Sequence, residues 1–457
     1  MQIYNSLTAT KSEFKPITPG VVKLYVCGQT VYDYCHIGHA RSMIVFDMVV
    51  RFLRSQNYQV TFVRNITDVD DKIINRANEN KESCDALVDR FITIMHEDEK
   101  KLGLLPVDVE PRATQFIKPI IDLIQVLLDE EMAYIAGNGD VCFEVRKFKE
   151  YGKLAKRDIE KLISGARVHI TEGKKDPLDF VLWKLSKPNE PHWDSPWGVG
   201  RPGWHIECSA MAANILGQPF DIHGGGMDLK FPHHENEIAQ SESAHHTAFA
   251  NTWMHVGLLN VDGEKMSKSL NNFFTIQDVL KKYSAEVIRY FMLSSHYRSP
   301  VNYSFDNMDQ AKQSLERLYV SIRGLRLTSS SKSMPAAFID AMNDDFNSPI
   351  ALSVLFDMAR EINKLREENN IADAEKLGSQ LKKWGEIFGI LQTDPETFLQ
   401  GDVSDDFANQ VEKLIADRNS ARKNKNYAEA DRIRNELQKL NVTIEDTAVA
   451  TTWRKMD

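Results

Sequence analysis

The stretch Tyr25-Val26-Cys27-Gly28-Gln29-Thr30-Val31-Tyr32-Asp33-Tyr34-Cys35-His36-Ile37-Gly38-His39-Ala40-Arg41 narrows the folds open to this chain more than any other. The apolar run Val21 to Val26 reads as a buried strand that Cys27-Gly28 ends, and Met43 to Leu53 reads as a helix. Between them stand His36 and His39, spaced to put both imidazoles on one side of a first helical turn. A helix that starts just after a strand is an anion site, because its free N–H groups and its dipole favour negative charge. Donors placed there can hold a phosphate as charge builds on it.

Val60 to Val63 reads as a second strand, and the helix between makes the pair a parallel crossover. Asn65 to Lys72 then forms a polar loop at the carboxyl end of that strand, where open parallel sheets place their ligand crevice. Thr67 and the aspartates there are candidates for substrate contact, with capping aspartates on a surface turn as the plainer reading. Helical pattern runs from Lys72 to Leu105, Leu105 to Arg112 is a rigid turn, and Ala113 to Met132 is helical again. Ala133–Ile135 and 141–145 flank Gly137-Asn138-Gly139-Asp140 as a hairpin, and up to about Gly200 the chain looks like an insertion between two halves of a nucleotide fold. Strong pattern returns with a helix at His205 to Leu216 and a strand at Phe220 to His223. A helix opening at Pro232 and a strand from Trp253 to Val261 follow. Beyond Gln310 the expectation is helix to the end, over Met308–Leu327, Ala336–Asn343, 348–368, 373–391 and 407–440, with a linker at Gln392–Asp402.

Lys265-Met266-Ser267-Lys268-Ser269 follows the last of these strands. Two lysines on such a loop can neutralise a departing pyrophosphate while the histidines act on the α-phosphate. Mg²⁺ with the nucleotide is the usual companion. A third constellation is metal-like: Cys27, Cys208, and His233 with Glu237 on one helix face suit Zn²⁺. Buried apolar thiols and a surface His–Glu pair are the alternative, and His234, His245 and His246 are competing ligands by spacing. Cys35, Cys84 and Cys142 read as structural. Five cysteines in 457 residues give no disulfide framework and fit a reducing cytoplasm. No signal peptide or membrane-spanning run is evident. A net charge of −9 argues against non-specific coating of nucleic acid, though the last helix carries Arg418, Arg422, Lys423, Lys425, Arg432 and Arg434. With Tyr427 and Trp453 these could meet an RNA loop through phosphates and bases, or form a solvated mixed-charge helix.

The two signature motifs, His-Ile-Gly-His and Lys-Met-Ser-Lys-Ser, resemble those of class I aminoacyl-tRNA synthetases. Cys27 to Asp33, Asn65 to Ile73, Gly203 to Met211, Phe220 to Glu237, Asp344 to Pro349 and the closing Thr451-Thr452-Trp453-Arg454 resemble the cysteinyl-tRNA synthetases, essentially end to end. The resemblance implies a Rossmann-type doubly wound parallel α/β sheet. Residues 1–115 and 201–262 would be its halves, 116–200 a connective insertion and 263–310 a lysine-loop and stem-contact region. A helical bundle at 311–400 and a C-terminal anticodon-recognition domain at 401–457 would complete the chain. It implies ligation of L-cysteine to tRNA(Cys) through cysteinyl-adenylate, in the cytoplasm, by a monomer with no obligate protein partner.

The resemblance also assigns roles. Zn²⁺ would be held by Cys27, Cys208, His233 and Glu237, and would also take the substrate thiolate. ATP would meet His36, Gly38, His39, Asp228 and Lys268. Cysteine would meet Cys27, Gly28, Thr67, Trp204 and His223, and tRNA would meet Arg422, Tyr427, Asp431, Asp446 and Trp453. His36, His39, Lys265 and Lys268 would be catalytic. Gln29 stands where many relatives have proline, and Asn271 where they often have glycine. A mycothiol-type ligase joining cysteine to an amino sugar is the nearest rival, disfavoured because Phe407 to Asp457 is kept. A non-catalytic RNA-binding relative would be expected to lose His36, His39 or Lys268, and all three are present.

Overall fold

The computed structural model describes residues 1–157, 173–265, 273–328, 334–401, 403–446 and 451–455, without the side chains of Lys265 and Asp405. The chain divides into two units, Met1–Met308 with Pro335–Ala351, and Asp309–Met334 with Leu352–Asp457.

The first unit is built on a four-stranded parallel sheet, ordered Ala250–Val256, Phe220–Gly226, Val21–Thr30, Gln59–Thr67. From Val21–Thr30 the chain crosses through the helix Ile37–Ser55 to Gln59–Thr67 on one side. The other two strands lie on the opposite side, so the order reverses between Val21–Thr30 and Phe220–Gly226. Such a reversal opens a crevice at the carboxyl ends of the strands. Side chains alternate between the two faces. On one face Phe46 of the Ile37–Ser55 helix lies against Gly224. On the other, Tyr25, Val63 and Trp253 pack with Cys208, Met211 and Ala212 of the helix Trp204–Leu216.

The insertion forms a separate antiparallel sheet, Ala133–Ile135, Val141–Phe143, Phe180–Leu185 and Gly200–Pro202 in order. Its core of Phe143, Leu182 and Trp183 is continuous with Ile206, Ala210 and Ala239. In the second unit helices occupy Ile371–Phe388, Pro395–Gln400, Asp405–Lys423 and Tyr427–Lys439, and the hairpin Val442–Asp446/Thr451–Lys455 follows.

Several elements differ from their expected bounds. The helical stretch from Lys72 to Leu105 is two helices, Asp71–Asn80 and Cys84–Lys101. Lys81 turns left-handed at φ 57° and the Ser83 side chain caps the second helix. The expected polar loop at Asn65 is still strand as far as Thr67, because Asn65, Ile66 and Thr67 are all buried. The strand expected from Trp253 to Val261 breaks at Gly257, and Leu259–Val261 joins another sheet with Glu264–Lys265 and Val301–Tyr303. The long C-terminal helix is interrupted by Lys425 at φ 58° and the Asn426 cap, and the chain ends in strands rather than helix. The linker Gln392–Asp402 contains the short helix Pro395–Gln400, opened by Asp394 as its cap.

Candidate active site and metal cluster

The strand Val21–Thr30 does not stop at Cys27-Gly28; it bulges there. Val26 pairs with Arg64 and Gln29 with Ile66, so Cys27 and Gly28 together face one residue, Asn65. A bulge at the edge of a site re-aims a side chain. The Gly28 N–H donates to Asn65 Oδ1 at 2.8 Å, and the Cys208 Sγ lies 3.6 Å from the same oxygen. Position 28 needs glycine, since a Cβ there would sit 1.6 Å from the Asn65 carbonyl oxygen. The bulge aims Cys27 Sγ at Cys208 Sγ, 3.6 Å away, and at Glu237 Oε1, 3.2 Å away. His233 Nε2 reaches that carboxylate oxygen at 3.1 Å.

The donor atoms of Cys27, Cys208, His233 and Glu237 thus lie within 4.8 Å of one another, all buried. Cys27, His223, His234 and Glu237 also meet that limit. There, however, His223 Nε2 is already bonded to Glu237 Oε2 at 2.8 Å, while His234, held through Nδ1 by His255 Nε2 at 2.8 Å, keeps its Nε2 4.0 Å from Glu237 Oε1. The first set, with two thiols, is the softer and suits zinc better. His233 Nδ1 lies 2.9 Å from His205 Nδ1, which turns Nε2 to the cluster. With His223 bracing Glu237, two ligands have the outer support typical of metal sites. His245 and His246 are exposed and stand outside the cluster.

The electrostatics suit metal ligation. Burial pushes the Cys27 and Cys208 thiols up, so each stays protonated without a cation. Burial pulls His233 down to about 3, leaving it neutral and able to ligate. Burial also works against the Glu237 carboxylate, but His223 and His233 outweigh it and hold the group below its usual value.

The histidine turn has its own logic. His36 caps the helix Ile37–Ser55: its Nδ1 accepts from the backbone of Gly38 at 3.1 Å and of His39 at 3.3 Å. His39 Nδ1 in turn accepts from the His36 N–H at 3.2 Å, and the rings stack 3.5 Å apart. Two imidazoles here make the reciprocal box that Ser/Thr and Glu usually make. With both Nδ1 atoms accepting, the ring proton of a neutral imidazole belongs on Nε2. Burial, then His36 and Lys72, push His39 well below its ordinary value, so it is a neutral Nε2–H donor.

Beside this turn opens a cavity of about 510 Å³ lined by Cys27, Gly28, Gly38, His39, Trp204 and Asp228, among others. Lys72 and Asp33 also line it. Neither is among the candidate site residues above, although Lys72 directly follows the aspartates of 65–71.

The pattern of the class I (C) tRNA synthetase catalytic domain matches residues 13–313, the DALR domain 337–392, and the cysteinyl-tRNA ligase anticodon binding domain 404–454. The cysteine–tRNA ligase of Coxiella burnetii (strain Dugway 5J108-111) is 58% identical over 457 residues, covering all of both chains. That of Vibrio atlanticus is 58% identical over 460 residues, also covering both in full. The chain belongs to the cysteine–tRNA ligase family. Solved class I structures share its fold. Mycobacterium tuberculosis methionyl-tRNA synthetase with methionyl-adenylate has a TM-score of 0.56 at 16% identity, over 80% of this chain and 89% of that one. The Agrobacterium radiobacter K84 LeuRS–tRNA–LeuAMS complex has 0.59 at 10%, over 84% and 86%.

Set against the family's motifs, the structure brings His36, Gly38, His39, Asp228, Cys27, Gly28 and Trp204 to one cavity. Two residues expected against cysteine do not line this cavity. Thr67 is buried and donates to Glu207 Oε2 at 2.9 Å, and His223 is fully buried against Glu237 and Trp253. Trp204 is 37% exposed and stacks on His233 at 4.3 Å, joining the cavity to the metal cluster. Gln29 accepts a bond from the Cys35 thiol at 2.9 Å while its backbone pairs in the strand. Lys265 ends the short strand Glu264–Lys265. Lys268 and Asn271 lie outside the described residues.

In the C-terminal hairpin the expectation for Trp453 is corrected. It is 3% exposed, packed in a core with Val411, Ile415, Ile433 and Leu437, and cannot stack on a base without leaving it. Tyr427 is 64% exposed, and Asp431 is exposed on the same helix. Arg422 and Asp446 are paired with each other at 2.6 Å.

Proposed function

We propose that this chain activates L-cysteine with ATP, forming cysteinyl-adenylate and pyrophosphate, and then transfers cysteine to the terminal adenosine of tRNA(Cys). The observation that carries this reading is the shared cavity: the capped histidine turn and the Cys27 bulge meet on its wall, twelve residues or fewer apart in the chain. In the activation step the cysteine carboxylate attacks the α-phosphate. His36 and His39 donate from Nε2 to the phosphate oxygens, and the N-terminus of the helix Ile37–Ser55 adds its dipole. Lys265 and Lys268 take the charge of the departing pyrophosphate, and Asp228 faces the ribose. Mg²⁺ accompanies ATP.

Cys27, Cys208, His233 and Glu237 hold one Zn²⁺ in this reading, and the four donors fit it in number and softness. Zinc there supplies a soft Lewis acid that prefers a thiolate to a hydroxyl. Trp204, stacked on His233, closes the pocket around the side chain of the amino acid. Residues 404–454 read the tRNA through the helix carrying Arg422, Tyr427 and Asp431, with Asp446 ordering Arg422. The protein works in the cytoplasm as a monomer, and no helix among the described residues is long and apolar enough to cross a membrane.

Two assays on one preparation test the reading. Cysteine-dependent exchange of pyrophosphate into ATP is expected, followed by transfer to tRNA(Cys) and not to glucosaminyl-inositol. Exchange without transfer to tRNA would favour the amino-sugar ligase, and no exchange would refute both. Lys268→Ala is expected to slow adenylate formation at least tenfold while cysteine binding, followed by calorimetry, stays within twofold.

A further inference from the structure

Arg41 lies two residues beyond His39 on the histidine helix and is 1% exposed. A fully buried guanidinium normally faces a carboxylate. This one instead donates to four backbone carbonyls of one short segment. Its Nη1 bonds Met292 O, and its Nη2 lies 3.1 Å from His296 O, 3.5 Å from Tyr297 O and 3.1 Å from Ser299 O. Met292 lies in the last turn of the helix Ala285–Leu293, whose C-terminal dipole favours a cation. Burial lowers the group to about 10, so it is still charged at neutral pH.

The segment it grips packs against the strands that lead into the lysine loop. Tyr297 O accepts from the Gly257 N–H at 2.8 Å, and Leu258 O accepts from the Val301 N–H at 2.9 Å. Val301–Tyr303 then pairs in parallel with Leu259–Val261, which pairs with Glu264–Lys265. Val256 to Asn260 line the same cavity as His36 and His39. On its far side the turn is fixed by Asp345, whose Oδ1 accepts from Tyr297 Oη and whose Oδ2 accepts from Arg298 Nε, both at 2.8 Å. Arg41 thus adds a side-chain tie between the histidine helix and the strands that carry the first lysine, alongside the backbone bonds from Ile37 N–H to Phe274 O at 3.0 Å and from Ile276 N–H to Cys35 O at 2.9 Å.

We propose that Arg41 is a positioning residue that sets the distance between the histidine turn and the base of the lysine loop. It acts on adenylate formation and not on transfer to tRNA. The reason is geometric. Activation needs the α-phosphate and the leaving pyrophosphate held at once, by groups on two separate segments, and a misplacement of about 1 Å between them costs about a hundredfold. Transfer begins after pyrophosphate has gone, so the spacing of the two segments no longer matters. A lysine cannot replace Arg41, because a point ammonium does not span carbonyls that a planar fork reaches together.

The inference rests on the proposed activation reaction, and the test separates the two. Arg41→Lys and Arg41→Gln are compared with the unaltered protein in single-turnover adenylate formation. Transfer to tRNA is then measured from enzyme–adenylate accumulated by long incubation and freed of ATP. Zinc content is measured alongside. The expected result is a ten- to hundredfold fall in the activation rate, with the KM for cysteine, the zinc content and the transfer rate each within twofold of the unaltered protein. An equal fall in both steps, an unchanged activation rate, a loss of zinc, or variants that do not fold would overturn the assignment of Arg41. Failure of the unaltered protein to form adenylate would instead refute the reaction itself.

Discussion

Asn65 touches the candidate metal cluster without being one of its four donors. Its Oδ1 accepts from the Gly28 N–H, next in the chain to Cys27, and faces the Cys208 sulfur, so one amide braces the backbone beside one candidate thiol donor and meets the other. Outer-shell partners of this kind are worth about ten- to hundredfold in metal affinity. Asn65→Ala should therefore weaken zinc binding by that factor, measured by competition with a chromophoric chelator. The change should be far larger than that from removing an exposed asparagine such as Asn80. An unchanged affinity would mean that the strand pairing alone fixes the bulge. This residue also shows where sequence reading stops. Thiols, imidazoles and carboxylates marked Cys27, Cys208, His233 and Glu237 as candidates, and the family resemblance chose them over the competing His234, His245 and His246. An asparagine in a polar stretch announces nothing, and only the pairing of two residues opposite one exposes its role.

At the scale of the element, the histidine turn was legible because its strand, its spacing and its helix all point to one geometry. The bulge was not, since Cys27-Gly28 reads equally well as a strand end. The boundary at Asn65 was missed for a related reason: polar residues suggested a loop, but their side chains are satisfied inside by Gly28, Thr67 and Glu207. The C-terminal hairpin shows charge misread in the other direction. Asp446 accepts from Arg418 at 2.8 Å, from Thr451 Oγ1 at 2.7 Å and from Arg422 at 2.6 Å. The Arg418 bonds first, against some burial, and then Thr451 and Arg422 hold this carboxyl well below the usual carboxylate range. A depressed folded-state pKa gives stability that is present above the unfolded value near 4 and lost as pH falls through the folded value. Asp446→Asn should thus lower the melting temperature at pH 7, and the gap from the unaltered protein should narrow as pH drops below about 4. The side chain is 37% exposed, so the effect at pH 7 is screened to about 1 kcal/mol or less. A gap that is constant from pH 7 to pH 2 would show that shape, not charge, explains it.

Across the whole molecule, two signals of different kinds made the architecture readable. The alternation of strand and helix gave a parallel sheet with an insertion, and the motifs placed its crevice, because ligand loops gather at the carboxyl ends of strands. The helical second half was legible only as helix. Its breaks at Asn424–Asn426 and its closing hairpin depend on left-handed residues and on a core around Trp453 that no periodicity marks. The central claim is that selection of the amino acid and its activation share one cavity, with a soft metal making the selection. The most direct test is pyrophosphate exchange by the zinc-loaded protein with cysteine and with serine side by side. Apolar pocket contacts alone separate such a pair by about 10–200-fold. The preference for cysteine is expected to lie well beyond that range, and to collapse into it or below when zinc is withdrawn. Serine used within about 200-fold of cysteine by the loaded protein, or a preference unchanged without zinc, would contradict it.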